Sequence, residues 1–148
     1  MGARLSTFYV SGASSEFLRV REVTVALAAA GLEPSCDWTT VAPEYLGRDH
    51  ELSAAHRLAL ARAVLQSTRG CTVLVLLVPR PPAASIGAWV ELGAAIEARR
   101  RRESPAIVVA GPDAARTIFT DLADAVCESD EEAVATAVAL AATFARAR

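Results

Sequence analysis

Gly87 and Glu91 stand four residues apart in a stretch that reads as a helix, so they share a face and the glycine leaves open space above the carboxylate. A carboxylate beneath such a gap can attack or stabilise an electrophilic carbon. The same placement also fits a surface acid held in the first turns by the helix dipole, the commoner role for such a residue. Ser85 lies just before that helix, and Ser11-Gly12-Ala13-Ser14-Ser15 follows a short β-rich run, Thr7-Phe8-Tyr9-Val10. Both segments offer small residues and a helix N-terminus where an anion or a sugar can approach. Neither contains GxGxxG or GxSxG, so the general dinucleotide and nucleophile-elbow motifs say nothing here.

Three further residues are placed to touch a ligand. Trp38 can stack on a base while Asp37 contacts its edge, although an aromatic at a strand end is more often core. Arg19, in the first helix with Arg21, is near enough to the 11–15 loop to meet a 5′-phosphate by a bidentate contact, although helix arginines are more often solvated. His50 and His56 are six apart and do not fit HExxH. The run Arg99-Arg100-Arg101-Arg102 suits the C-terminal end of a helix, and four residues do not make a nucleic-acid patch.

Positioning these residues requires a scaffold, and strand-like and helix-like patterns alternate from end to end. Strands are expected at 7–10, 32–38, 72–78, 106–110 and, weakly, 125–128. Helices are expected from Ser15 to Ala30, from Ser53 to near Gly70, over 86–101, over 114–122 as a short piece, and over 130–145. Gly31 supplies the first C-terminal stop. The run Thr72-Val73-Leu74-Val75-Leu76-Leu77-Val78 is apolar on both faces, as a strand covered by helices on each side must be. The expectation is a single α/β domain over 1–148. It is a flavodoxin/Rossmann-like doubly wound five-stranded parallel sheet of order 2-1-3-4-5, whose crevice lies beyond the carboxyl ends of strands 1 and 3.

Composition narrows the chemistry. The 148 residues are 53% apolar and 22% charged, enough for one sizeable core. All fifteen basic residues are arginine, which excludes a lysine Schiff base and the P-loop lysine. A net charge of −2 lacks the basic excess of phosphate-tracking nucleic-acid binders. The apolar run is closed by Pro79 and Arg80, far short of the roughly 18 residues of a spanning helix. With no apolar segment at the N-terminus, a cytoplasmic protein with no membrane partner is expected. Cys36, Cys71 and Cys127 form no CxxC and have no histidines at zinc-ligand spacing, so reduced thiols and no metal are expected.

Phe8-Tyr9-Val10-Ser11-Gly12, the buried strand to Val78, and Ser85-Ile86-Gly87-Ala88-Trp89-Val90-Glu91-Leu92-Gly93-Ala94-Ala95 together resemble the nucleoside 2-deoxyribosyltransferase-like family. That group includes the 2′-deoxynucleoside 5′-monophosphate N-glycosidases. The resemblance spans roughly residues 7–111, and its most specific piece is S-x-G-x-x-x-E-x-G-x-A. It implies a Rossmann-like fold and chemistry at C1′ of a nucleoside or nucleotide, without a cofactor. Glu91 would be the nucleophile, and the glycosyl-enzyme would be resolved by water or a second base. Ser85 and Gly87 match residues lining the sugar or phosphate pocket, Ser11 and Gly12 the loop beneath the ribose. The family commonly forms dimers or larger rings.

One departure bears on activity. The family carries acids on the second helix and at the start of the third strand, whereas residues 62–71 here contain none. Either Asp49 or Glu44 from the 39–52 loop substitutes, with His50 a further proton-transfer candidate, or the fold is kept without turnover. A catalytically silent nucleotide- or sugar-binding module and a signalling or assembly domain are the alternatives, since fold does not fix function.

Overall fold

Residues 73–77 have no polar side chain to give to water on either face, and the computed structural model puts all five in the interior as the central strand of a parallel sheet. Residues 6–41, 43–102, 104–114 and 117–146 are described. They form β1 (Thr7–Ser11), α1 (Phe17–Ala29), β2 (Glu33–Pro34), α2 (Ala54–Gly70), β3 (Val73–Leu77), α3 (Ile86–Arg102), β4 (Ala106–Ala110), β5 (Ala125–Cys127) and α4 (Asp130–Arg146). The strand order is β2-β1-β3-β4-β5 with every pair parallel. This is the doubly wound α/β arrangement expected from the alternation.

Strand side chains alternate between faces, so the sheet sorts them into two cores. Phe8, Val10, Val73, Val75, Leu77 and Val108 pack with Val20, Val23 and Leu27 of α1 and Ala133, Ala137 and Ala141 of α4. Tyr9, Leu74, Leu76, Ile107 and Val109 pack on the other face with Ala88, Leu92 and Ala95 of α3. Each fully buried valine or leucine contributes about 2 kcal/mol of apolar transfer. Tyr9 and Ser11 therefore lie on the α3 side of β1.

Several local expectations are corrected. The second strand shrinks from 32–38 to Glu33–Pro34, after which the chain turns into a 3-10 segment, Trp38–Thr40. The edge of β1 is nevertheless satisfied: Glu33 N donates to Ser6 O and Ser35 N to Phe8 O. Trp38 Nε1 then donates to Val10 O at 2.9 Å, an indole replacing the next backbone donor. Pro34 is tolerated between the two donors because an edge strand does not need its missing N–H.

α1 does not begin at Ser15. Ser15 lies within a 3-10 turn, Ser14–Glu16, and α1 begins at Phe17 without a side-chain cap. Gly31 does stop that helix, with φ +90°. Ser53 caps α2, its Oγ accepting from His56 N. Leu58 of α2 is exposed, as is Ile86 at the start of α3, where Ala88, Leu92, Ala95 and Ala98 make the buried stripe. The short helix at 114–122 is a 3-10 segment, Ile118–Leu122. No helix among the described residues is long and apolar enough to cross a membrane.

Candidate active site

Beyond the carboxyl ends of β1 and β3, between α2 and α3, lies a cavity of about 690 Å3, within the range typical of small-molecule sites. β1 and its following loop supply Tyr9, Gly12 and Ser14. The 38–52 segment supplies Trp38, Leu46 and Leu52, α2 supplies Arg57, Leu60, Ala61, Val64 and Leu65, and α3 with its approach supplies Ser85, Gly87, Val90 and Glu91. Most of this wall is apolar, so polar groups at its floor are poorly solvated.

That floor holds three buried oxygens with no hydrogen-bond partner among the described residues beyond one another: Tyr9 Oη, Ser11 Oγ and Glu91 Oε2. The strand period puts Tyr9 and Ser11 on one face of β1, and the second turn of α3 brings Glu91 down to them. Burial pushes the Glu91 carboxyl up from its ordinary 4.5 to about 7, against the Ser11 and Tyr9 hydroxyls, which favour the charged form. Burial and then the Glu91 charge hold the Tyr9 hydroxyl protonated well above its usual range. Buried polar groups whose only partners are one another are rare in interiors, and three together under a cavity form a prepared polar floor.

The first turn of α3 forms one wall of this space. Ser85 Oγ accepts from Ala88 N at 3.1 Å and so caps the helix. A methyl group at Gly87 would meet only Ser85 Oγ, at 3.7 Å, so the glycine leaves free volume there. Gly12 is different in kind: a Cβ there would lie 2.8 Å from Val20 Cγ2, so its absence lets α1 close onto β1.

The structure thus gathers Gly12, Trp38, Ser85, Gly87 and Glu91 around one cavity, with the Ser11 hydroxyl at its floor. Two expected ligand contacts are not brought there. Arg19 is buried and committed elsewhere: Nε and Nη2 donate to the two Asp130 oxygens at 2.8 and 2.7 Å, and Nη1 to Val78 O at 2.8 Å. Asp37 caps the Trp38–Thr40 turn, its Oδ1 accepting from Thr39 N and Thr39 Oγ1. Arg19 ties α1 to α4, Asp37 holds its own turn through Oδ1, and neither is among the residues lining the cavity, where both were expected as ligand contacts.

Asp49 begins a 3-10 turn, Asp49–Glu51, and its side chain lies outside the described residues. Glu44 and His50 are exposed and do not line the cavity. Two polar lining residues escaped the sequence reading. Tyr9 is signalled by its parity with Ser11 on the first strand. Arg57, in the first turn of α2, donates from Nη1 to the carbonyls of His50 and Leu52.

The three cysteines are free thiols. Among the described residues no three His, Cys, Asp or Glu side chains gather as metal donors. No known protein family matches the chain, and no curated protein matches it in sequence.

Proposed function

We propose that the cavity binds a nucleoside or nucleotide and that Glu91 cleaves its N-glycosidic bond as a nucleophile, in the manner of the deoxyribosyltransferase-like family the sequence resembles. The observation that supports this reading most is the Glu91 carboxyl at the floor of a ligand-sized cavity, flanked by two hydroxyls that lack other partners. A Glu91 oxygen attacks C1′, the C1′–N bond breaks, and its electron pair leaves with the base. Water then attacks C1′, the C1′–O bond to Glu91 breaks, and the water proton passes to the group that protonated the base, releasing the sugar and restoring the carboxylate; a second base in place of water gives transfer.

In this scheme the Tyr9 and Ser11 hydroxyls orient the carboxylate and favour its ionised form, while the gap at Gly87 admits the sugar. Trp38 on the cavity wall offers a stacking face for the base. Asp49 is the proton donor to the leaving base carried forward from the sequence. A homo-oligomer working in the cytoplasm completes the proposal.

A catalytically silent binding module is the second reading, favoured by the complete lack of acids on α2. Base release from a panel of ribo- and deoxyribonucleosides and their 5′-monophosphates separates the two. The enzyme reading expects release that Glu91→Ala abolishes. Absence of release by folded wild-type protein, with ligand binding that survives Glu91→Ala, establishes the silent module instead.

A further inference from the structure

The seventeen residues of α2 include His56, Arg57, Arg62 and Arg69 and not one acid, in a chain whose net charge is −2. Arg62, Gln66 and Arg69 recur at steps of four and three and so lie on one helical face. α3 packs against α2 and brings Arg102 from its last turn to the same place. Together with Leu65 and Gly70, these side chains line an open groove of about 460 Å3, separate from the Glu91 floor.

Among the described residues no neighbouring carboxylate pairs with this group. α3 carries only Glu91 and Glu97. Glu91 belongs to the cavity floor, and Glu97 accepts from Arg100 at 3.2 Å and from Arg101 at 2.7 Å. Among the described residues Arg62, Arg69 and Arg102 have no ion pair. Three guanidiniums facing one groove present rigid, multidentate donors suited to phosphate oxygens. Their charge calls for more than one phosphate, since a single terminal phosphate supplies only about −1.5 to −2 at neutral pH. The acidic balance of the whole chain argues against a long nucleic acid as the occupant.

We infer that this groove binds the diphosphate or triphosphate group of a small ligand, held by Arg62, Arg69 and Arg102 with Gln66 as an added donor. Leu65 lines both the groove and the larger cavity, so the two spaces are one side chain apart. The anion is therefore either free polyphosphate or the tail of a nucleotide seated in the cavity. The assignment of the groove does not depend on the glycosidic chemistry.

Calorimetric titration of wild type, Arg69→Gln, Arg62→Gln/Arg69→Gln and Glu91→Gln with inorganic pyrophosphate and with a nucleoside diphosphate tests it. The expected result is pyrophosphate binding that falls at least tenfold in the double variant and is unchanged in Glu91→Gln, all four proteins sharing one circular dichroism spectrum. A nucleoside diphosphate binding more tightly than pyrophosphate assigns the groove to a nucleotide tail; equal affinities assign it to free polyphosphate. Absence of binding at millimolar concentration, undiminished binding in the double variant, or preference for a single-stranded oligonucleotide at equal salt each overturns the inference.

Discussion

The Tyr9 hydroxyl on β1 and the Glu91 carboxyl on α3 face each other as buried groups, and Tyr9 Oη has no hydrogen-bond partner among the described residues apart from that carboxyl. The hydroxyl favours the charged carboxylate, and the carboxylate in turn keeps the phenol protonated. The strand and the helix thereby hold a donor and an acceptor in a fixed relation before any ligand arrives. Such preorganisation is what stabilising developing charge requires.

Glu91 makes stability depend on pH. Its folded value of about 7 exceeds the ordinary 4.5, so between these values the folded chain holds a proton that the unfolded chain has released. Stability therefore falls as pH rises from 4.5 to 7 and is level above it, a loss of about 3 kcal/mol at most. Urea denaturation at pH 5 and pH 8 should show this loss in wild type and not in Glu91→Gln. Identical trends in both proteins would show that the carboxyl is not held protonated. Base release, which needs the ionised form, should rise with pH through the same range.

Tyr9→Phe removes a hydroxyl that has no other partner, so the fold should lose less than about 1 kcal/mol. It also removes one of the two groups favouring the Glu91 anion. The acid limb of the activity profile should move to higher pH, with kcat reduced at pH 7 and partly recovered at pH 8.5. A uniform loss of activity across pH would point to some other role for the phenol.

Two glycine substitutions should separate packing from catalysis. Gly12→Ala drives a methyl group into Val20 and should destabilise by about 1–3 kcal/mol. Gly87→Ala meets no close neighbour and replaces glycine within a helix, so thermal stability should hold or rise by up to about 1 kcal/mol. Its effect should fall on substrate affinity, through the volume it takes beside Glu91. Thermal melts combined with KM measurements would contradict this assignment if Gly87→Ala proved the less stable of the two.

Asp130 ties α4 to α1 through Arg19, the two side chains only 17% and 8% exposed. Hydrogen bonds from Arg19 hold the Asp130 carboxyl below its ordinary range, against the opposing effect of burial. A depressed carboxyl contributes stability above its unfolded value, lost as pH falls through its folded one. Asp130→Asn should therefore cost about 3 kcal/mol at pH 7, with the gap from wild type narrowing in acid. A constant gap from pH 7 to pH 3 would exclude the ion pair as its source.

The sheet order was legible because residues 73–78 could be only a doubly covered strand and the alternation of patterns left one common winding for it. Gly87 and Glu91 were legible because helical spacing is rigid, and Ser85 because a cap precedes its helix. Arg19 was misplaced because sequence proximity to the 11–15 loop cannot reveal Asp130, which lies 111 residues away. The second strand was overextended because alternating side chains look the same whether a donor comes from backbone or from an indole. Tyr9 was passed over because on a buried strand its ring reads as core, and only the neighbouring helix shows what its hydroxyl faces.

The indole bond from Trp38 to Val10 O also makes the cavity optically addressable. The chain has two tryptophans; Trp38 belongs to the cavity wall, while Trp89 lies on α3 and is not among the cavity-lining residues. In a Trp89→Phe protein the remaining emission reports the polarity of this wall alone. A bound aromatic base stacking on it should quench that signal, giving a direct readout of occupancy that works whether or not the bond to the sugar is ever cut.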